Sequence, residues 1–360
     1  MTAPRLAISN IAWPAEEEAE VARALQGLGV AAVEIAPTKV FKDPTNVSDV
    51  ELGSYVSFWS DHGIEVVAFQ SMLFGREDLT LFQDASTRRA AIDHLARFVE
   101  LAGRMDVGVL VFGSPRNRQV PDGATEASVW PLAVEVFSEL GAIAAAAGTC
   151  LCIEPNPPQY ACSFVTTAAA GARLVEDVNH PGFGLHLDAA GMTLAGDHIG
   201  DAVREHASLL RHYHVSAPQL GEIENMVVDH AAGFSALGDV GYQGAISIEM
   251  RPGSPGEGAA RAAAAIDLTR SLLAESRGEE RSRDHPRTCH AQSSAITRFA
   301  GCAALGGPAR SRDRAGCGAC RRARRLRTGV VARARAGLCA QRRCSVARRS
   351  HGSRTQRARG

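Results

Sequence analysis

The chain has 360 residues, 45% of them hydrophobic, with 39 basic and 39 acidic side chains. The neutrality hides a split: residues 277–360 hold 22 arginines, no lysine and four acids, leaving 17 basic and 35 acidic side chains for residues 1–276. An acidic body of that size can bury a large core but is a poor partner for DNA or RNA, so nucleic acid is excluded except at the tail.

Eight strand-like runs follow one another: LAISN (6–10), AAVEIAP (31–37), IEVVAFQS (64–71), VGVLVFGSP (107–115), TCLCIEPN (149–156), GFGLHLDAA (182–190), LRHYHVSA (210–217) and GAISIEMR (244–251). Between and after them lie helical segments at roughly 14–28, 49–61, 87–105, 125–147, 166–178, 198–206, 229–238 and 256–275. Thr166, Thr167 and Asp229 are suited to helix caps, and Gly27, Gly29 and Gly148 to helix ends. Strict alternation predicts parallel strands joined by crossover helices. Eight units in about 275 residues predict a (β/α)8 TIM barrel over residues 1–276. A doubly wound sheet is disfavoured because no GxGxxG follows the first strand.

Four polar residues fall near the ends of strands five to eight: Glu154, Asp188, His214 and Glu249. Side chains alternate faces along a strand. Glu154 therefore shares a face with Cys150 and Cys152, Asp188 with Gly184 and His186, His214 with His212 and Ser216, and Glu249 with Ser247 and Arg251. The opposite faces carry Leu151, Ile153, Leu185, Leu187, Tyr213, Val215, Ile246, Ile248 and Met250. In phase, the four point into one barrel mouth as an oxygen-rich shell for a divalent metal. His186 and His212 lie one layer deeper and are read as supporting or core histidines.

Further candidates surround that mouth. Arg116 and Arg118 in GSPRNR could hold a phosphate or carboxylate, with a solvated loop arginine as the plain alternative. His230 could reach the mouth from the helix that Asp229 caps. Glu34 and Gln70 end strands two and three, and Trp13 and Phe74 could wall a sugar or simply pack.

The tail carries Cys289, Cys302, Cys317, Cys320, Cys339 and Cys344, and its only aromatic is Phe299. Cys317-Gly-Ala-Cys320 has zinc-knuckle spacing without a second CxxC at ribbon distance. An Arg/Ala/Gly/Cys/Ser mixture without lysine matches GC-rich DNA read out of frame. A disordered or non-native Arg-rich tail over 277–360 is the expectation. The start MTAPRLAISNIAW lacks a secretory pattern, no run of about 18 apolar residues occurs, and Cys150, Cys152 and Cys162 form no disulfide framework. A soluble cytoplasmic enzyme without a membrane partner is expected. A homodimer is compatible with the barrel class.

The motifs ISNIAW, QSMLFG, VFGSPRNR, CIEPNP, HLDAAG, HVSAP and SIEMR together resemble the sugar phosphate isomerase/epimerase family of xylose-isomerase-like TIM barrels, over roughly residues 5–275. That family includes ketose 3-epimerases and inosose dehydratases. The resemblance implies one divalent ion (Mn, Mg or Co, with Zn compatible) on Glu154, Asp188, His214 and Glu249. It also implies Glu154 and Glu249 as the acid/base pair moving a proton next to a carbonyl through an enediolate, with a sugar or sugar phosphate as the carbohydrate substrate. Two positions depart from the epimerase pattern: Gly191 stands where a histidine is usual, and Ala217-Pro218-Gln219 replaces a stretch bearing aspartate and arginine. Dehydration of an inosose- or shikimate-like ketone and non-catalytic sugar binding are the alternatives. A trinuclear-zinc endonuclease is disfavoured by the few strand-end histidines in the first half.

Overall fold

The computed structural model describes residues 4–223 and 227–278. Eight parallel strands close in sequence order into a barrel: β1 (Arg5–Ser9), β2 (Ala32–Ile35), β3 (Glu65–Phe69), β4 (Val109–Phe112), β5 (Cys150–Ile153), β6 (Phe183–Asp188), β7 (Leu210–Ser216) and β8 (Ala245–Glu249). The β1–β8 ladder completes the circle, pairing Leu6 with Ile246 and Ile8 with Ile248. The helices are α1 (Glu18–Gly27), α2 (Pro37–Val40), α3 (Asp49–Asp61), α4 (Ala85–Arg104), α5 (Glu126–Ala146), α6 (Ala168–Val178), α7 (Ala189–Ala195), α8 (Ile199–Glu205), α9 (His230–Asp239) and α10 (Gly258–Ser276). The disordered or non-native tail expected over 277–360, with its Cys317-Gly-Ala-Cys320 spacing, lies outside the described residues from 279 onward.

Local chemistry fixes the helix starts. Ser48 and Glu51 form a reciprocal capping box on α3, Asp84 accepts from Ser86 N and Thr87 N to start α4, and Thr167 accepts from Ala170 N to start α6. Asp229 caps α9 through Ala232 N. Gly148, at φ +75°, turns the chain from α5 into β5 with a left-handed step that a side chain would resist.

The predicted phase of the strands is observed. Leu151, Ile153, Leu185, Leu187, Tyr213, Val215, Ile246, Ile248 and Met250 all belong to the hydrophobic layer between sheet and helices. Each such side chain contributes about 1.5–3 kcal/mol on burial, which pins the register because a one-residue slip would turn the whole set into the lumen. Among the described residues α5 alone is long and apolar enough to span a membrane. It packs here on β5, β6, α4 and α6 as an outer helix of the barrel.

Two elements differ from the sequence reading. The predicted strand over 182–190 ends at Asp188, and α7 begins at the next residue. AAGMTLA offers no polar face to mark it, and the helix is capped by Asp188 itself. Short α2, with Pro37 at its first turn, sits where 37 was read as strand end.

Candidate metal centre

Glu154 directly follows β5, Asp188 ends β6, His214 lies within β7 and Glu249 ends β8. The register sets Asp188 beside His214 and Ser216 beside Glu249. One ligand atom each from Glu154, Asp188 and His214 lie within 4.8 Å of one another. His214 Nδ1 is 3.4 Å from Glu249 Oε2 and 4.0 Å from Asp188 Oδ2. All four predicted residues are thus brought together.

Each is held by its surroundings. Asp188 Oδ1 accepts from Gly191 N and Oδ2 from Ser216 Oγ, both at 2.5 Å, so one carboxylate caps α7 while facing the mouth. Gly191 leaves little room for a side chain: a Cβ there would lie 3.1 Å from Asp188 Oδ1. Glu154 lies against Gly113, where any Cβ would overlap its Oε2. Arg118 Nη2 reaches beneath the β5 end, donating to the Glu154 carbonyl at 2.6 Å and to Asn156 Oδ1 at 3.0 Å.

The electrostatics are those of crowded acids. Burial, then the charges of Asp188 and Glu249, push Glu154 from 4.5 up to about 8. Burial and Glu249 push Asp188 from 3.8 up to about 6. Burial opposes a charge on His214, but Glu34 and Glu249 outweigh it and hold its pKa well above 6.5. His214 Nδ1 is buried without a hydrogen-bond partner, while Nε2 is 2.9 Å from Glu34 Oε2. Three crowded carboxylates, with Glu154 and Asp188 raised in pKa, beside an unpartnered imidazole nitrogen form a donor set that fits a divalent cation.

A cavity of about 340 Å³ opens over these residues. It is lined by Glu154, Asp188, Glu249, Ser216, Asn156, Tyr160 and Gln219, among others, and among the described residues by no lysine, arginine or histidine. Tyr160 Oη accepts from Gln219 N at 3.0 Å, tying the loop after β5 to the loop after β7. Three lining residues hold left-handed backbone: Ser114 (φ 39°), Gln219 (φ 61°) and Leu220 (φ 55°). Non-glycine residues there are strained, which is common where loops shape a site. Sequence alternation cannot show such loop conformations, so Asn156, Tyr160 and Gln219 were missed as candidate substrate contacts. Ser216 had a signal, its place on the His214 face.

The substrate candidates read from the sequence are not brought to this cavity. Trp13 is fully buried and packs beside Gly258 and Lys39. Gln70 is buried and donates to Ser9 Oγ at 2.6 Å. Phe74 is 78% exposed and lines no part of it. Arg116 is exposed and paired with Glu77, and Arg118 is fully buried against backbone, so neither offers an anion site there. His230 is buried, stacked on Phe234, and lowered to about 4 by burial. Glu34 is fully buried on two histidines rather than open to a ligand.

A closed (β/α)8 barrel with a carboxylate–histidine cluster that could hold an ion at its C-terminal mouth defines a class of barrel proteins with the site where such folds keep their chemistry. The chain belongs to the xylose isomerase-like TIM barrel family, whose model matches residues 22–272. It is similar to the L-ribulose 3-epimerase of Mesorhizobium japonicum (strain LMG 29417 / CECT 9101 / MAFF 303099), 26% identical over 249 residues that cover 68% of this chain and 80% of that protein. A solved L-ribulose 3-epimerase shares the fold with a TM-score of 0.65 at 20% identity, covering 79% of this chain and all of that one. The IOLI protein crystallised with a zinc atom shares it with a TM-score of 0.59 at 18% identity, covering 77% and 99%.

Proposed function

We propose that this chain is a divalent-metal-dependent epimerase or isomerase of a neutral ketose. Glu154, Asp188, His214 and Glu249 would hold the ion, with Glu154 and Glu249 as the acid/base pair. The observation that carries the reading is the convergence of these four side chains beneath one sugar-sized cavity. Similarity to an L-ribulose 3-epimerase supports the reaction class.

When bound, a divalent ion would polarise a substrate carbonyl and make the neighbouring C–H acidic. The chain's own part is positional. Glu154 and Glu249 both face the cavity, so one carboxylate can take the proton and the other can return one. Asp188 is locked by two hydrogen bonds and has no freedom to shuttle. Ser216 and Gly191 spend their donors on Asp188, which leaves Asn156, Tyr160 and Gln219 as polar groups for hydroxyls. Among the described residues the lining offers neutral and acidic groups and no cationic side chain, which favours an uncharged sugar over a sugar phosphate.

The test is incubation of the manganese-reconstituted full chain with free ketoses and their phosphates, followed by NMR. An epimer or isomer of a free ketose is expected. Turnover restricted to phosphates would overturn the substrate class, and loss of water instead of inversion would point to a dehydratase.

A further inference from the structure

We propose that Glu34 is the positioning residue of this centre. From the far side of the barrel it holds His214 by Nε2, so that Nδ1 is the nitrogen offered at the mouth. The inference rests on the metal reading above and adds a residue that touches neither substrate nor ion.

Glu34 sits on β2, opposite Ser9 in the ladder to β1, and crosses the lumen to β7. It is fully buried, and its Oε2 takes the Nε2–H of His214 at 2.9 Å and lies 3.4 Å from His212 Nε2. Its Oε1 has no hydrogen-bond partner. A carboxylate buried among histidines is a poor way to fill a barrel. Removing it would strand the imidazole N–H without an acceptor.

The geometry has a directional consequence. An imidazole free to rotate could present either nitrogen. With Nε2–H tied to Glu34, the remaining nitrogen faces the mouth and its neighbour there is Glu249, at 3.4 Å, itself one of the four residues that would hold the ion. His186 packs against the same ring at a centroid distance of 4.2 Å and 73° between planes, so rotation is also blocked sterically. A carboxylate behind a ligating imidazole fixes its tautomer and makes the opposite nitrogen a better donor. Glu34 lies 178 and 180 residues from its two partners, which is why no local pattern gives it this role.

The experiment measures manganese affinity of the full chain and its Glu34→Gln variant by electron paramagnetic resonance, with circular dichroism confirming the fold. The amide keeps an acceptor but loses the charge. A weakening of about 10- to 100-fold is expected. A folded variant with wild-type affinity would overturn the inference. A second readout needs no variant: cadmium-loaded wild type, isotopically labelled, should show scalar coupling from the ion to His214 Nδ1. Coupling to Nε2 instead would overturn the inference while leaving the metal centre standing. Wild type that binds neither ion would overturn the metal reading itself, and this inference with it.

Discussion

Replacing Glu154 by glutamine should stabilise the metal-free protein and weaken the metal-bound one. In the folded chain burial and the neighbouring Asp188 and Glu249 charges move the Glu154 carboxyl from 4.5 to about 8. A carboxyl whose folded pKa is raised takes up protons on folding. Its contribution is favourable below the unfolded pKa and is lost as pH rises through the folded one, here from 4.5 to about 8. At 1.36 kcal/mol per pH unit the loss is about 5 kcal/mol, and water on the cavity side reduces it to ~2–4 kcal/mol. The amide has no charge to lose. Urea unfolding of chelated protein at about pH 5 and about pH 9 should therefore give a flatter profile for Glu154→Gln, with the variant the more stable at the higher pH. Manganese in about 100-fold excess over its Kd should restore the wild type by about 2.7 kcal/mol and the variant by less. Parallel pH profiles, or a chelated variant less stable than wild type at the higher pH, would refute the reasoning.

Metal affinity should rise with pH as protons leave Asp188 (about 6), Glu154 (about 8) and His214, which is held well above 6.5. Calorimetry in buffers of different ionisation enthalpy should count the protons released. Gly113→Ala places a Cβ against Glu154 Oε2 and should cost roughly tenfold or more in manganese affinity, with the circular dichroism spectrum unchanged. The Tyr213 hydroxyl is buried, unpartnered and pressed against Gly233. Tyr213→Phe should thus be neutral or slightly stabilising in thermal melts, whereas Gly233→Ala should cost about 1–3 kcal/mol by overpacking.

The catalytic end of the barrel was legible because period-two alternation is a strong signal in a short buried strand. Glu154, Asp188, His214 and Glu249 each sit opposite an apolar face that the hydrophobic layer claims, so their inward direction follows from the sequence. The supporting contacts were not legible. Glu34 was placed correctly inside the barrel but assigned to a ligand, because its partners come from β7 across the lumen. Arg118 and Arg116 look alike in sequence, yet one turns under Asn156 and the other pairs with Glu77 in solvent. Loop backbone decides that difference, and the Ser114 φ of 39° between strand and arginines has no side-chain pattern to announce it. Trp13 packs beside Gly258 and Lys39, and Gln70 donates to Ser9, tertiary outcomes that aromatic or amide identity does not encode.

The central claim is metal-assisted proton transfer next to a ketose carbonyl by Glu154 and Glu249. Its most direct test is solvent deuterium incorporation into a free ketose by manganese-loaded full chain, beside chelated protein and the Glu249→Gln variant. The account predicts deuterium on the carbon adjacent to the carbonyl with the loaded wild type only. Equal exchange in the chelated protein, or undiminished exchange in the variant, would contradict it.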